Sequence, residues 1–177
     1  MRRFLDRLYL AAAVGAAVSL ASIALVMLLQ AGLRKAGLLL RGADDIVSWL
    51  CAAATFLALG YTFRQGELIR VGLLLDKLPA RARRPAETAC LVGALAVVGY
   101  ATWAVAGFVY ESWQLEEVAQ GLLQVPIWIP QLSLVIGLVV FLVAVLDELV
   151  THLRGEKTAY QAAQEARRAS GDFSDEL

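Results

Sequence analysis

Three adjacent pairs of carboxylates, Asp44-Asp45, Glu116-Glu117 and Asp147-Glu148, are the groups in this sequence that could share general acid and base work. One histidine, His152, follows the third pair, and Cys51 and Cys90 are the two thiols. Glu67 and Arg70 lie between Gly66 and Gly72, but that spacing is not that of a phosphate-cradling loop. No Ser, His and Asp constellation, CxxC pair or metal-ligand spacing accompanies them. Each carboxylate pair borders an apolar segment, where charges are expected as solvated caps. His152 is expected to be exposed and inert. No catalytic, cofactor-binding or metal residue is therefore expected, and the chain reads as no enzyme.

The elements that carry these residues are apolar. Of 177 residues 59% are hydrophobic and 18% charged, with a mean hydropathy of +0.65, against about 45–50% apolar for soluble domains. Four segments lack any charge: Leu8 to Leu29, Ile46 to Phe63, Thr88 to Tyr110 and Leu122 to Leu146. Each is long enough for a span of roughly 17–25 residues. Ser19-Leu20-Ala21 behind Arg2, Arg3 and Arg7 resembles a signal-cleavage site. The apolar run continues to Leu29, however, longer than a signal core of about 7–15 residues, so a retained span is expected. The sequence thus predicts an all-α integral membrane protein, a four-helix transmembrane domain over residues 1–153 and a cytoplasmic tail over 154–177. Within that tail Ala159 to Ala169 reads as a short helix.

Charge placement sets the expected orientation. The 16 basic and 16 acidic residues cancel, and no basic run alternates with aromatics, so no nucleic-acid partner is expected. With four spans, the N-terminus, second loop and tail collect 13 Lys and Arg, and the other two loops collect 3. Both termini should face the cytoplasm. Trp49, Tyr110, Trp113 and Trp128 then fall at the outer interface, where amphipathic rings anchor helices. Cys51 and Cys90 fall in opposite leaflets on the order of 20 Å apart, too far for a disulfide, and are expected to be free and buried.

The loops carry the remaining expectations. Gln30 to Asp45 either extends the first helix or lies along the outer surface. Glu111 to Gly121 is acidic and reads as a solvated loop, with the alternative that Glu111, Glu116 and Glu117 form a periplasmic docking patch. Pro126 suits the first turn of the fourth helix, whereas Pro130 should distort the next turn. From Phe56 to Pro79 the chain leaves the membrane at Arg64. On a helical wheel Leu68, Val71, Leu75 and Leu78 fall within about 80°, with Arg70 and Lys77 opposite. That pattern fits either an interfacial helix bracing the assembly or a loop with snorkelling arginines.

No span contains an ionisable residue, the usual mark of an ion, proton or substrate pathway. A helix-packing role remains, helped by Ala11, Gly15 and Ser19 at every fourth residue beside Ala12 and Ala16; their partner face is left open. The alternative is a self-contained oligomeric channel or small exporter. It would have to line its pore with Thr55, Thr62, Thr102 and Ser112, which are few and scattered.

The residues Asp44-Asp45, Trp49, Phe56 to Gly60, Arg64-Gln65-Gly66-Glu67-Leu68-Ile69-Arg70-Val71 and Leu78-Pro79, with Pro126-Ile127-Trp128-Ile129-Pro130 and Gly137, carry a resemblance. The chain resembles the small membrane subunit of the tripartite ATP-independent periplasmic (TRAP) transporters over nearly its whole length. It has Leu68 and Gly72 where members often have His and Asp. The resemblance implies a bacterial or archaeal inner-membrane complex with a large multi-span subunit and a periplasmic solute-binding protein. It also implies sodium-coupled uptake of organic acids by the large subunit, with the small one as a scaffold in the bilayer.

Overall fold

Three of the four charge-free runs each lie within one uninterrupted helix, and the fourth enters its helix at Trp128. The structure is a computed structural model that describes residues 2–65 and 80–155. Its helices are α1 (Arg2–Lys35), α2 (Ala43–Arg64), α3 (Ala80–Gln114) and α4 (Trp128–Leu153). All four are long and apolar enough to cross a membrane, and among the described residues the one β feature is an isolated bridge between Val118 and Pro126. The chain is an all-α membrane protein. The stretch from Leu68 to Leu78 and the tail helix at Ala159 to Ala169 lie outside the described residues.

Helix ends are set by local chemistry rather than by where hydrophobicity stops. α1 has 34 residues, about 51 Å at 1.5 Å per residue, well beyond the roughly 30 Å of hydrocarbon. Gln30 to Lys35 therefore extends the first helix, and only residues 36–42 form the turn. Gly37 in the left-handed region (φ 74) closes it, with Leu38 N–H donating to Leu33 O (2.9 Å) and Gly37 N–H to Arg34 O (3.2 Å). Arg34 and Lys35 in the last turn complement the helix dipole.

α4 starts at Trp128, later than the apolar run at Leu122, and continues past Leu146 to Leu153. Pro126 thus precedes the helix, and Pro130 falls within its first turn, where a missing N–H leaves no vacant partner. The carbonyl of Pro126 accepts from Ile129 N–H at 3.2 Å, so the expected distortion at Pro130 does not arise.

The four helices stand in a row. α1 packs on α2, α2 on α4 and α4 on α3, while α1 and α4 touch only slightly. The small-residue face of α1 is spent inside this row. Ala12, Ala16 and Ser19 are buried, and a Cβ on Gly15 would come within 3.3 Å of Leu57 on α2. α2 and α4 approach most closely where glycines face them. A Cβ on Gly137 would sit 2.5 Å from the Phe56 carbonyl group, and one on Gly60 would sit 2.8 Å from Val140. Phe63 and Phe141 pack edge to face across the same seam, 5.5 Å between centroids.

A row has two open flanks. Leu10, Val18, Leu25 and Leu28 on α1 are exposed, as are Val97, Tyr100, Trp103 and Phe108 on α3. Cys51 and Cys90 are free but exposed, contrary to the expectation of burial. A single row has too little thickness to cover the outward faces of α2 and α3.

Candidate functional site

Polar side chains gather at the two ends of the row. At the end holding the first residues of α1 and the last of α4, Arg64 reaches from α2 to Asp6 on α1, 2.6 Å between Nη2 and Oδ1. Its guanidinium lies over the Tyr9 ring, 4.9 Å from the centroid, a geometry that suits a planar cation. Tyr9 is 1% exposed, in a core cluster with Ala12, Phe63, Leu91, Val140, Ala144, Val145 and Leu149. Asp147 and Glu148 of α4 lie within electrostatic range of its hydroxyl.

Two expectations fail here. Glu148 is 5% exposed and His152 is 7% exposed, so neither is a solvated cap or a loose surface group. Both face inward because α4 runs seven residues past its charge-free stretch and keeps packing on its neighbours. His152 Nε2 lies 3.0 Å from Thr88 Oγ1, and Nδ1 lies 3.8 Å from Glu87 Oε2, which pins α4 to α3. Thr88 Oγ1 also donates to Arg84 O at 3.0 Å. A small cavity of about 300 Å³ opens beside this group, lined by Arg84, Pro85, Thr88, His152 and Leu153.

At the opposite end, residues 115–127 fold into a cap. Ala119 N–H donates to Val125 O (2.9 Å) and Ile127 N–H to Glu117 O (3.0 Å), which makes a short hairpin. Asp45, in the first turn of α2, accepts from Leu122 N–H (2.9 Å) and Leu123 N–H (3.3 Å) through Oδ2. It is a clamp on the loop rather than a solvated cap. Gly121 lies so close to that carboxylate that any Cβ would collide with it, and a Cβ on Gly42 (φ 81) would collide with Leu123. Asp44 remains exposed and accepts from Gln30 Nε2 at 3.5 Å.

The acidic residues of this cap have separate roles. Ser112, fully buried, donates to Glu117 Oε2 at 2.9 Å, so Glu117 secures the loop onto the end of α3. Glu116 takes a left-handed conformation (φ 49) just beyond α3, with its N–H on Trp113 O (3.3 Å) and that of Glu117 on Ser112 O (3.1 Å). Glu111 and Glu116 are exposed. A groove of about 690 Å³ runs past Trp113, Gln114, Glu116, Val118, Pro126 and Trp128. Trp49, Tyr110, Trp113 and Trp128 all belong to this end of the row.

Of the other residues singled out from sequence, Gly137 is the close-approach point of α4, and Trp128 and Pro130 form its first turn. Glu67, Leu68, Arg70, Val71, Leu75, Lys77, Leu78 and Pro79 lie outside the described residues. Thr55, Thr62 and Thr102 each donate to the carbonyl four residues earlier, at 2.9, 2.9 and 2.7 Å, so they satisfy their own helices and do not line a pore. Among the described residues no group of His, Cys, Asp or Glu could hold a metal ion. Sequence reasoning missed the Asp6, Tyr9 and Arg64 cluster and the pinning of His152. A tyrosine one turn after an acid, in an otherwise aliphatic run, was the available signal.

The contacts at both ends join helices to one another, so this geometry suits holding helices in place. No curated protein matches the chain. The sequence profile of the DctQ component of the tripartite ATP-independent periplasmic transporters matches residues 23–155, which takes in α2, α3, α4 and the last part of α1. That match takes in Asp45, Arg64, Gly137 and His152, and by it the chain belongs to the DctQ family, the small permease subunits of TRAP transporters.

Proposed function

We propose that this subunit is a non-catalytic scaffold for the large transport subunit of a binding-protein-dependent importer of organic acids, with sodium as the coupling ion. The observation that carries the scaffold reading is the row itself. Among the described residues its helices are charge-free across their middles, joined at their ends by polar contacts, and apolar on both open flanks. Such an object offers no path for ions or solute, but it offers long surfaces for another membrane protein. Family membership supplies the expected partners, a large multi-span subunit and a periplasmic solute-binding protein. In this reading Leu68, Val71, Leu75 and Leu78 brace the assembly along the cytoplasmic surface, with Arg70 and Lys77 on the wet side. Glu111, Glu116 and Glu117 are the exposed acidic groups that would meet the binding protein, Glu117 while also holding Ser112.

The test is to replace Leu68, Leu75 and Leu78 together with Ser, then to measure recovery of the large subunit with the tagged chain in mild detergent and solute uptake in cells. Both should fall while the variant chain still inserts. Full recovery with full uptake would remove the brace. Conduction by the purified chain alone in liposomes would remove the scaffold reading.

A further inference from the structure

Tyr100 and Trp103 stand side by side on α3, 6.1 Å between ring centroids, and they are 69% and 73% exposed. Their depth is unusual for such residues. The charge-free stretch of α3 runs from Thr88 to Tyr110, so Tyr100 lies about 18 Å from one end and about 15 Å from the other at 1.5 Å per residue. In a hydrocarbon layer of about 30 Å that is the midplane. Tyrosine and tryptophan otherwise favour the interfaces, as Tyr110 and Trp113 do on this same helix. At the midplane a phenol hydroxyl or indole N–H finds no water, and lipid chains cannot satisfy it. Among the described residues no hydrogen bond reaches either polar tip.

The surroundings of the pair are small. Gly93, Ala96, Ala104 and Gly107 fall on the same face of α3 and are exposed, so little side chain stands above and below the two rings. A Cβ on Gly93 or Gly107 would meet nothing within 4 Å, so these glycines serve no contact in this row, unlike Gly60 and Gly137. Small residues on a membrane helix let a second backbone approach closely.

We infer that this face of α3 is the contact with the large subunit: a helix of that subunit lies along the face from Gly93 to Gly107 and presents hydrogen-bond acceptors to Tyr100 and Trp103 near the midplane. The inference rests on the scaffold reading for the identity of the partner, while the face is argued from α3 alone. A second copy of this chain fits less well, because it would bring the same two donors and one hydroxyl as the acceptor.

The test places a photo-crosslinking benzoylphenylalanine at position 100 of the full chain, coexpressed with the large subunit. A second probe at Leu25, exposed on α1, serves as the comparison. Position 100 is expected to capture the large subunit. Gly93→Leu and Gly107→Leu should each lower its recovery at least tenfold without changing the melting of the purified chain, because neither side chain meets this row. Tyr100→Phe, which removes one interhelical hydrogen bond, should lower recovery by about threefold. Capture from Leu25 with only lipid or a second copy captured from position 100 would overturn the assignment of the face and leave the scaffold reading standing. Wild-type chain recovered without any large membrane subunit would overturn both.

Discussion

Single residues in this protein act mainly as clamps, and Asp45 is the clearest. Its carboxylate takes two backbone N–H groups of a loop 77 and 78 residues away, and charge-assisted bonds of that kind are the stronger ones. Asp45→Ala should cost about 1–2 kcal/mol, toward the lower end for charged hydrogen bonds because the site is only half-buried. Asp45→Asn keeps an acceptor oxygen and should lose less. Thermal melting of both variants in the same detergent separates the two outcomes, and equal melting of Asp45→Ala and wild type would show that the clamp adds nothing. The sequence marked the Asp44-Asp45 pair but not its use. The partner amides belong to a loop 77 residues later, and a backbone N–H has no signature in residue type. Glu117 was hidden for a different reason, since its side-chain partner Ser112 looked like a stray polar residue at a helix end.

The helices themselves were legible, because charge-free runs of this length have few alternatives once hydrophobicity is so high. Their ends were not. α1 outlasts its apolar run until Gly37 supplies a left-handed residue, and α4 waits until Trp128 because the hairpin at 117–127 uses the preceding backbone. Neighbour choice was also unreadable, since Leu and Val suit lipid and protein equally. The glycines recorded it, but Gly60 and Gly137, which serve the α2 and α4 seam, look the same in sequence as Gly93 and Gly107, which serve nothing in this chain. That difference makes a prediction. Gly137→Ala must push α2 and α4 apart, because its Cβ would lie 2.5 Å from the Phe56 carbonyl, and the overpacking should cost about 1–3 kcal/mol. Gly107→Ala adds a methyl group to open space and should be neutral or favourable in the isolated chain, since alanine is the better helix former. Urea or thermal unfolding of the two purified variants compares them directly, and similar losses would contradict both the close packing at Gly137 and the open space at Gly107.

At the scale of the whole molecule, the open row and the charge asymmetry work together. The row has one end with the start of α1, the end of α4 and the polar residues Asp6, Arg64, Glu87, Glu148 and His152, and another capped by a hairpin and ringed with tryptophans. Of the 16 Lys and Arg in the sequence, 13 fall before the first apolar run, between the second and third, or after the fourth, so the first end should be retained in the cytoplasm. Retention also suits the proposed scaffold: the hairpin cap with Glu111 and Glu116 would then face the periplasm, on the side of the proposed solute-binding protein. Thiol labelling can read this orientation. In a chain with Cys51→Ala and Cys90→Ala, Leu39→Cys places a thiol in the turn after α1, at a position 81% exposed, and Arg154→Cys places one just beyond α4. A membrane-impermeant maleimide added to spheroplasts that also express the large subunit should label the Leu39→Cys chain directly and the Arg154→Cys chain only after lysis. Labelling of both after denaturation controls for a thiol covered by a partner. The reverse pattern would place the termini outside, and the charge argument, the cytoplasmic brace and the periplasmic cap would fall together.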